Sequence, residues 1–110
     1  MILGSDIIIG SGCSIGAMTE VRIGDLARIS RNVTIETASL DFSTSLSYRH
    51  KARPIQIGKG VWLGTGSMVL GGVTIGDYAV IGAGVIVAKA VPARAIIVGS
   101  SPRHVKDLEG

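Results

Sequence analysis

Residues 55–92 read "IQIGKGVWLGTGSMVLGGVTIGDYAVIGAGVIVAKAVP", and an aliphatic residue returns at every sixth place: Ile57, Leu63, Val69, Ile75, Ile81 and Val87. Six is neither the period of a helix, about 3.6 residues, nor the alternation of a simple strand. It fits a short extended segment followed by a turn, with the anchor residue facing inward each time. Upstream the same phase holds at Leu3, Ile9, Ile15 and Val21, slips by two residues, and resumes at Ile23, Ile29 and Ile35. The residue after the anchor is commonly glycine, as at Gly10, Gly16, Gly24, Gly58, Gly64, Gly76 and Gly82, which reads as backbone freedom at corners. Four places after the anchor stand small or branched residues such as Cys13, Ala27, Val33, Val61, Val73 and Val85, suited to packing flat faces. Hexapeptide periodicity predicts a parallel β-helix with about 18 residues per triangular coil and like residues stacked at the strand spacing of about 4.8 Å.

Composition agrees with thin, similar layers rather than one central core. Hydrophobic residues make up 46% of the 110, aromatics only 4%, so the interior draws on Ile, Val, Leu and Ala. The reading is one domain over residues 1–110, with coils over 2–39 and 55–92, a loop over 40–54 and a C-terminal cap over 93–110. So short a chain buries a modest fraction of its surface, and oligomerisation is expected. The lone cysteine, Cys13, excludes an internal disulfide framework and reads as a small core residue in a reducing compartment. No run reaches the roughly 18 apolar residues of a membrane span, and no signal peptide precedes the repeats, so a cytoplasmic address is expected.

The net charge is +3, and its excess falls late, at Arg49, Lys51, Arg53, Lys89, Arg94, Arg103 and Lys106. Without the aromatic platforms of single-strand binders, this balance fits a small phosphorylated ligand rather than nucleic acid. The repeat stops over residues 40–54, "LDFSTSLSYRHKARP", a polar stretch with Ser43, Ser45, Ser47 and a basic run around His50. A loop of that length without regular structure is ordinarily functional or disordered. Pro92 ends the last coil, and "PRHVKDL" at 102–108 predicts a short C-terminal helix, with Pro102 in its first turn and Val105 and Leu108 on one side.

Val61-Trp62-Leu63-Gly64, Gly72-Val73-Thr74-Ile75-Gly76, Ile81-Gly82-Ala83-Gly84 and "VAKAVP" at 87–92 together resemble the hexapeptide-repeat acetyltransferases. The likeness is to the branch of maltose, galactoside, nodulation-factor and exopolysaccharide acetyltransferases, and covers roughly residues 20–106. It implies an all-β, single-stranded, left-handed parallel β-helix, with one extruded loop, that assembles as a homotrimer. The hand comes from the family alone, since strand crossovers are ordinarily right-handed. Repeats begin almost at Met1, so the N-terminal helical segment of many members is not expected. The resemblance further implies transfer of an acetyl group from acetyl-CoA to a hydroxyl or amine of a small acceptor, of the sugar or xenobiotic class, in a cleft between subunits. No metal is implied.

Carried over by position, Thr65, Ala83, Ala88 and Lys89 match the family's contacts to acetyl-CoA. Ala88 replaces a usual threonine, so one hydroxyl contact is lost. His104 stands at the usual basic phosphate contact, flanked by Arg103 and Lys106, and the family's "GNPA" becomes Ser100-Ser101-Pro102-Arg103. The plainer reading of Lys89 is a solvated corner, but its place in "VAKAVP" favours the cofactor contact.

The family base is a histidine in a "T-x-[ST]-H" stretch, and here Thr37-Ala38-Ser39-Leu40 puts Leu40 in its place. Leucine cannot accept a proton, which leaves His50 in the loop and Asp41 beside it as catalytic candidates. Desolvation could raise Asp41 to a useful basicity. The plainer readings are a solvated loop residue for His50 and a turn cap for Asp41. Trp62 reads as subunit-interface packing, with a ligand wall as the alternative. Three functions therefore compete: an acetyltransferase, a trimeric β-helix module that has lost its base, and a γ-class carbonic anhydrase. The last needs three metal-binding histidines, where this sequence has two.

Overall fold

The computed structural model describes residues 1–41, 49–99 and 103–107. The first coil holds β1 (Ile2–Leu3), β2 (Ile8–Ile9) and β3 (Ser14–Gly16), and the second β4 (Val21–Ile23), β5 (Arg28–Ile29) and β6 (Thr34–Glu36). A hairpin of β7 (Ala38–Asp41) and β8 (Arg49–Ala52) follows. The third coil has β9 (Ile55–Ile57), β10 (Trp62–Leu63) and β11 (Met68–Leu70), the fourth β12 (Thr74–Ile75), β13 (Val80–Ile81) and β14 (Ile86–Val87). The chain closes with β15 (Ala95–Val98) and β16 (Arg103–Asp107). These strands stack into faces of a prism: β1-β4-β9-β12 on the first, β2-β5-β10-β13-β15-β16 on the second, β3-β6-β11-β14 on the third.

The anchors read from the sequence are the residues that stack. Leu3 pairs with Ile23, Ile57 and then Ile75 up the first face. Ile9, Ile29, Leu63, Ile81 and Ile97 form the second column, and Ile15, Ile35, Val69 and Val87 the third. Ile23, Ile29, Ile35, Ile57, Leu63, Ile75 and Ile81 are almost wholly buried. Full burial of each such side chain stabilises by about 1.5–3 kcal/mol. Leu3 and Ile9 remain 48% and 40% exposed, because the first coil is stacked on one side only. The final turn is tighter than the repeat, so Val91, not Ala93, meets Ile75.

The corners work differently from the sequence expectation. The left-handed backbone lies three places after the anchor, at Gly60, Gly66 and Gly84 but also at Leu26, Asn32 and Tyr78. The glycines directly after the anchors are instead forced by close approach: a Cβ on Gly64 would sit 2.7 Å from the Ala83 nitrogen, and on Gly24 2.7 Å from that of Lys59. They keep successive coils at strand spacing.

Residues 40–54 are not wholly irregular. β7 and β8 pair antiparallel, with Ala38 opposite Ala52, Ser39 opposite Lys51, Leu40 opposite His50 and Asp41 opposite Arg49. Ser43, Ser45 and Ser47 lie outside the described residues. The expected C-terminal helix is replaced by a strand: β16 runs antiparallel to β15, with Val98 opposite Arg103 and Ile97 opposite His104. Pro102 and Leu108 lie outside the described residues. A single helical turn or two is marginal in water, whereas the open edge of β15 offers a full row of backbone donors and acceptors.

Candidate functional site and family

The corner between the second and third faces lines up one residue per coil. Arg31, Thr65 and Ala83 follow one another there, tied by backbone hydrogen bonds from Gly66 N–H to the Arg31 carbonyl at 3.0 Å and from Gly84 N–H to the Thr65 carbonyl at 2.9 Å. All three side chains are exposed. Beside them Gly66 and Gly84 leave open space: an added Cβ would meet nothing within 4 Å. A smooth channel of small residues therefore runs along the prism edge, able to accept an extended chain. It leads toward the β15 terminus, where Val98 stands opposite Arg103.

Ala88 and Lys89, both exposed, lie past β14 at the other border of the third face. The fold thus brings Thr65, Ala83 and the backbone of Arg103 to one corner, while Ala88 and Lys89 stand across the width of the third face. His104 and Lys106 lie along β16, opposite Ile97 and Ile96.

The hairpin is rooted where the third face turns into the first. Thr37, fully buried, fixes that root: its hydroxyl donates to the Gly16 carbonyl at 2.8 Å and accepts from Met18 N–H at 2.9 Å. Its own carbonyl accepts from Arg53 N–H at 3.0 Å, closing the hairpin's other arm onto the coil. Glu36 accepts from Ala38 N–H at 3.1 Å. On this base the backbone register sets His50 directly across from Leu40.

A groove of about 550 Å³ opens on the second face around Trp62, with Ile8, Arg28, Ser30, Arg31 and Thr65 in its walls. Trp62 is 56% exposed and its indole N–H donates to the Ser30 hydroxyl at 3.3 Å. Arg28 donates through Nη1 to the carbonyls of Asp6 and Ala27, at 2.6 and 3.1 Å. Sequence reasoning passed over Arg28 and Arg31, attending to the later basic residues. The signal was present in the repeat phase, which sets them in register with Trp62 and Thr65. Cys13 is half-buried against the core, its thiol donating to the Ser30 carbonyl at 3.0 Å. No group of three potential metal ligands occurs among the described residues.

Residues 54–89 match the family model described as "Bacterial transferase hexapeptide (six repeats)". Galactoside O-acetyltransferase of Escherichia coli (strain K12) is 36% identical over 96 residues, 80% of this chain and 44% of that protein. A maltose O-acetyltransferase structure from Clostridium difficile 630 superposes with a TM-score of 0.89 at 32% identity, over 98% of this chain and 59% of that one. A hexapeptide-repeat acetyltransferase from Vibrio cholerae O1 biovar eltor, solved with acetyl-CoA, gives 0.90 at 25% identity, over 98% and 60%. The chain spans less than half the length of the first curated relatives it matches. The superpositions identify the prism as the left-handed parallel β-helix. With its stacked hexapeptide anchors, glycine-spaced coils and relatives of the same architecture, this chain belongs to the hexapeptide-repeat acetyltransferase family.

Proposed function

We propose that this β-helix is the catalytic body of an acetyl-CoA-dependent O- or N-acetyltransferase acting on a small acceptor of the sugar or xenobiotic class. The observation that carries the reading is the open corner of Thr65, Gly66, Ala83 and Gly84, in a fold superposing on an acetyltransferase solved with acetyl-CoA. The thioester supplies an already activated acetyl group. This chain's residues have to hold it, orient the acceptor and take the acceptor's proton as attack begins. Thr65 and Ala83 flank the extended arm, Arg103, His104 and Lys106 meet its phosphates, Lys89 at the far border of the third face reaches them from the neighbouring subunit, and backbone N–H groups along the coils face the developing oxyanion.

His50 takes the role of base. Its support is the hairpin register, which puts it at the cross-strand position of Leu40, the place at which the family keeps its histidine. Asp41, opposite Arg49, is the second candidate. The working form is a homotrimer in a cytoplasmic setting, with the hairpin of one subunit against the groove of the next. No helix among the described residues is long and apolar enough to cross a membrane.

Calorimetric titration with acetyl-CoA tests the reading. One site per subunit, weakened several-fold by Lys89→Ala, is the expected result; no heat at millimolar ligand would refute it. In a transfer assay His50→Ala should lower kcat by about 10²–10⁴-fold with little change in donor affinity. The moved histidine of a Leu40→His/His50→Ala double variant should restore part of that loss. A second reading, a trimeric module without catalysis, is favoured by Leu40 itself; it predicts a trimer and no turnover in either variant.

A further inference from the structure

We infer that the Trp62 groove is the acceptor subsite and that it selects an anionic saccharide, one bearing a carboxylate or phosphate. The inference rests on the reading of Thr65 as a donor contact. Thr65 belongs both to the corner channel and to the groove wall. From it the channel continues through Ala83 toward the C-terminal coils, whereas the groove extends the other way, to Arg28, Arg31 and Ile8. Donor and acceptor paths therefore diverge from one residue, the geometry a group transfer requires.

The walls specify the acceptor's chemistry. Trp62 presents a large, half-exposed apolar ring whose N–H is steadied by Ser30, a surface on which a sugar ring can stack. Arg28 is held by its Nη1 bonds to Asp6 and Ala27, and among the described residues its Nε and Nη2 have no partner. Arg31 is exposed. No aspartate or glutamate lines the groove, and among the described residues neither arginine is paired with a carboxylate. Two guanidinium groups beside an aromatic ring, with no acid to balance them, favour an oxyanion held by charge-assisted and bidentate hydrogen bonds. A neutral sugar would leave those donors facing water.

Trp62 is the sole tryptophan, so its emission reports on this groove alone. The intact chain is titrated, without cofactor, with glucuronate, glucose 6-phosphate and methyl glucoside. Glucuronate or glucose 6-phosphate should bind roughly ten-fold more tightly than the neutral glucoside, the size of one charge-assisted hydrogen bond. Whichever of the two binds better identifies the anion. Arg31→Ala should abolish the preference while circular dichroism and molecular mass stay unchanged; the side chain is exposed, so the variant folds. Equal binding of all three sugars, binding of none, or a preference surviving in Arg31→Ala would overturn the inference. So would a lowered mass in that variant, which would make Arg31 an intersubunit contact. Displacement of the sugar acid by adenosine 3′,5′-bisphosphate would reassign the groove to the donor's phosphates and also overturn it. Acetyl-CoA binding measured on the same samples separates this outcome from failure of the acetyltransferase reading.

Discussion

Single residues carry three different kinds of constraint in these corners. Thr37 is a buried hydroxyl with both of its hydrogen-bonding roles used, joining the first coil to the hairpin root. Thr37→Val keeps the shape and the 3.0 Å bond from the Thr37 N–H to the Gly16 carbonyl, but removes the hydroxyl's bond to that carbonyl and orphans Met18 N–H, and chemical denaturation should show a loss of about 1–3 kcal/mol. Ser67 is the converse case: it is fully buried, and among the described residues its hydroxyl has no partner. Leu26 holds a φ of 63° on a partly exposed corner, a conformation that Asn32 adopts one corner later at 58°. Leu26→Asn should therefore hold or raise the melting temperature, by up to about 1 kcal/mol of relieved strain at the turn. At the surface, Arg22 donates to Glu20 and holds that carboxyl below its ordinary range. The stabilisation is present above the ordinary carboxylate pKa and is lost as pH falls through the lowered one. Both groups are open to solvent, so the effect is small, and Glu20→Gln should only flatten the acid limb of the stability curve.

At the scale of elements, coil spacing decides what each glycine does. Gly64→Ala would drive a methyl group into the backbone of Ala83, and no rotamer avoids it. The coil must spread, so the variant should lose stability by about 1–3 kcal/mol and distort the Thr65–Ala83 channel. Gly66→Ala meets open space and bears only the strain of its φ of 73°, roughly 1 kcal/mol. Comparing the two by melting temperature separates close approach from backbone freedom: Gly64→Ala should melt lower, while acetyl-CoA affinity should fall in both, by distortion of the corner in one and by a methyl group placed in its open space in the other. The hairpin is the other informative element. Its arms were unreadable as strands because "LDFSTSLSYRHKARP" has no apolar alternation; pairing comes from the backbone of neighbouring arms. β16 was misread for the same reason, since nothing local in "RHVKD" shows that an open sheet edge stands beside it.

Across the whole molecule, stability should depend on position along the stack. Leu63 has coils on both sides and is fully buried, whereas Leu3 has one neighbour and is 48% exposed. Leu63→Ala should cost about 2–5 kcal/mol in urea unfolding and Leu3→Ala a fraction of that; equal losses would contradict a layered, nearest-neighbour architecture. The sequence by itself determined the coils, because a six-residue period admits one way of keeping every anchor inside, and the stacked pairs Leu63–Ile81 and Val69–Val87 follow from it, whereas Ile97 meets Ile81 only through the tighter final turn. It also marked Thr65, Ala83 and Leu40, whose meaning lies in motifs contiguous along the chain. Only the tertiary structure decided the rest. It set His50 across from Leu40, placed Ala88 and Lys89 on a different border from Thr65, and gathered Arg28, Arg31 and Trp62 around one groove. The reason is physical: inward residues are dictated by a period every coil repeats, while outward neighbours come from different coils and a hairpin, joined by stacking that no local stretch records.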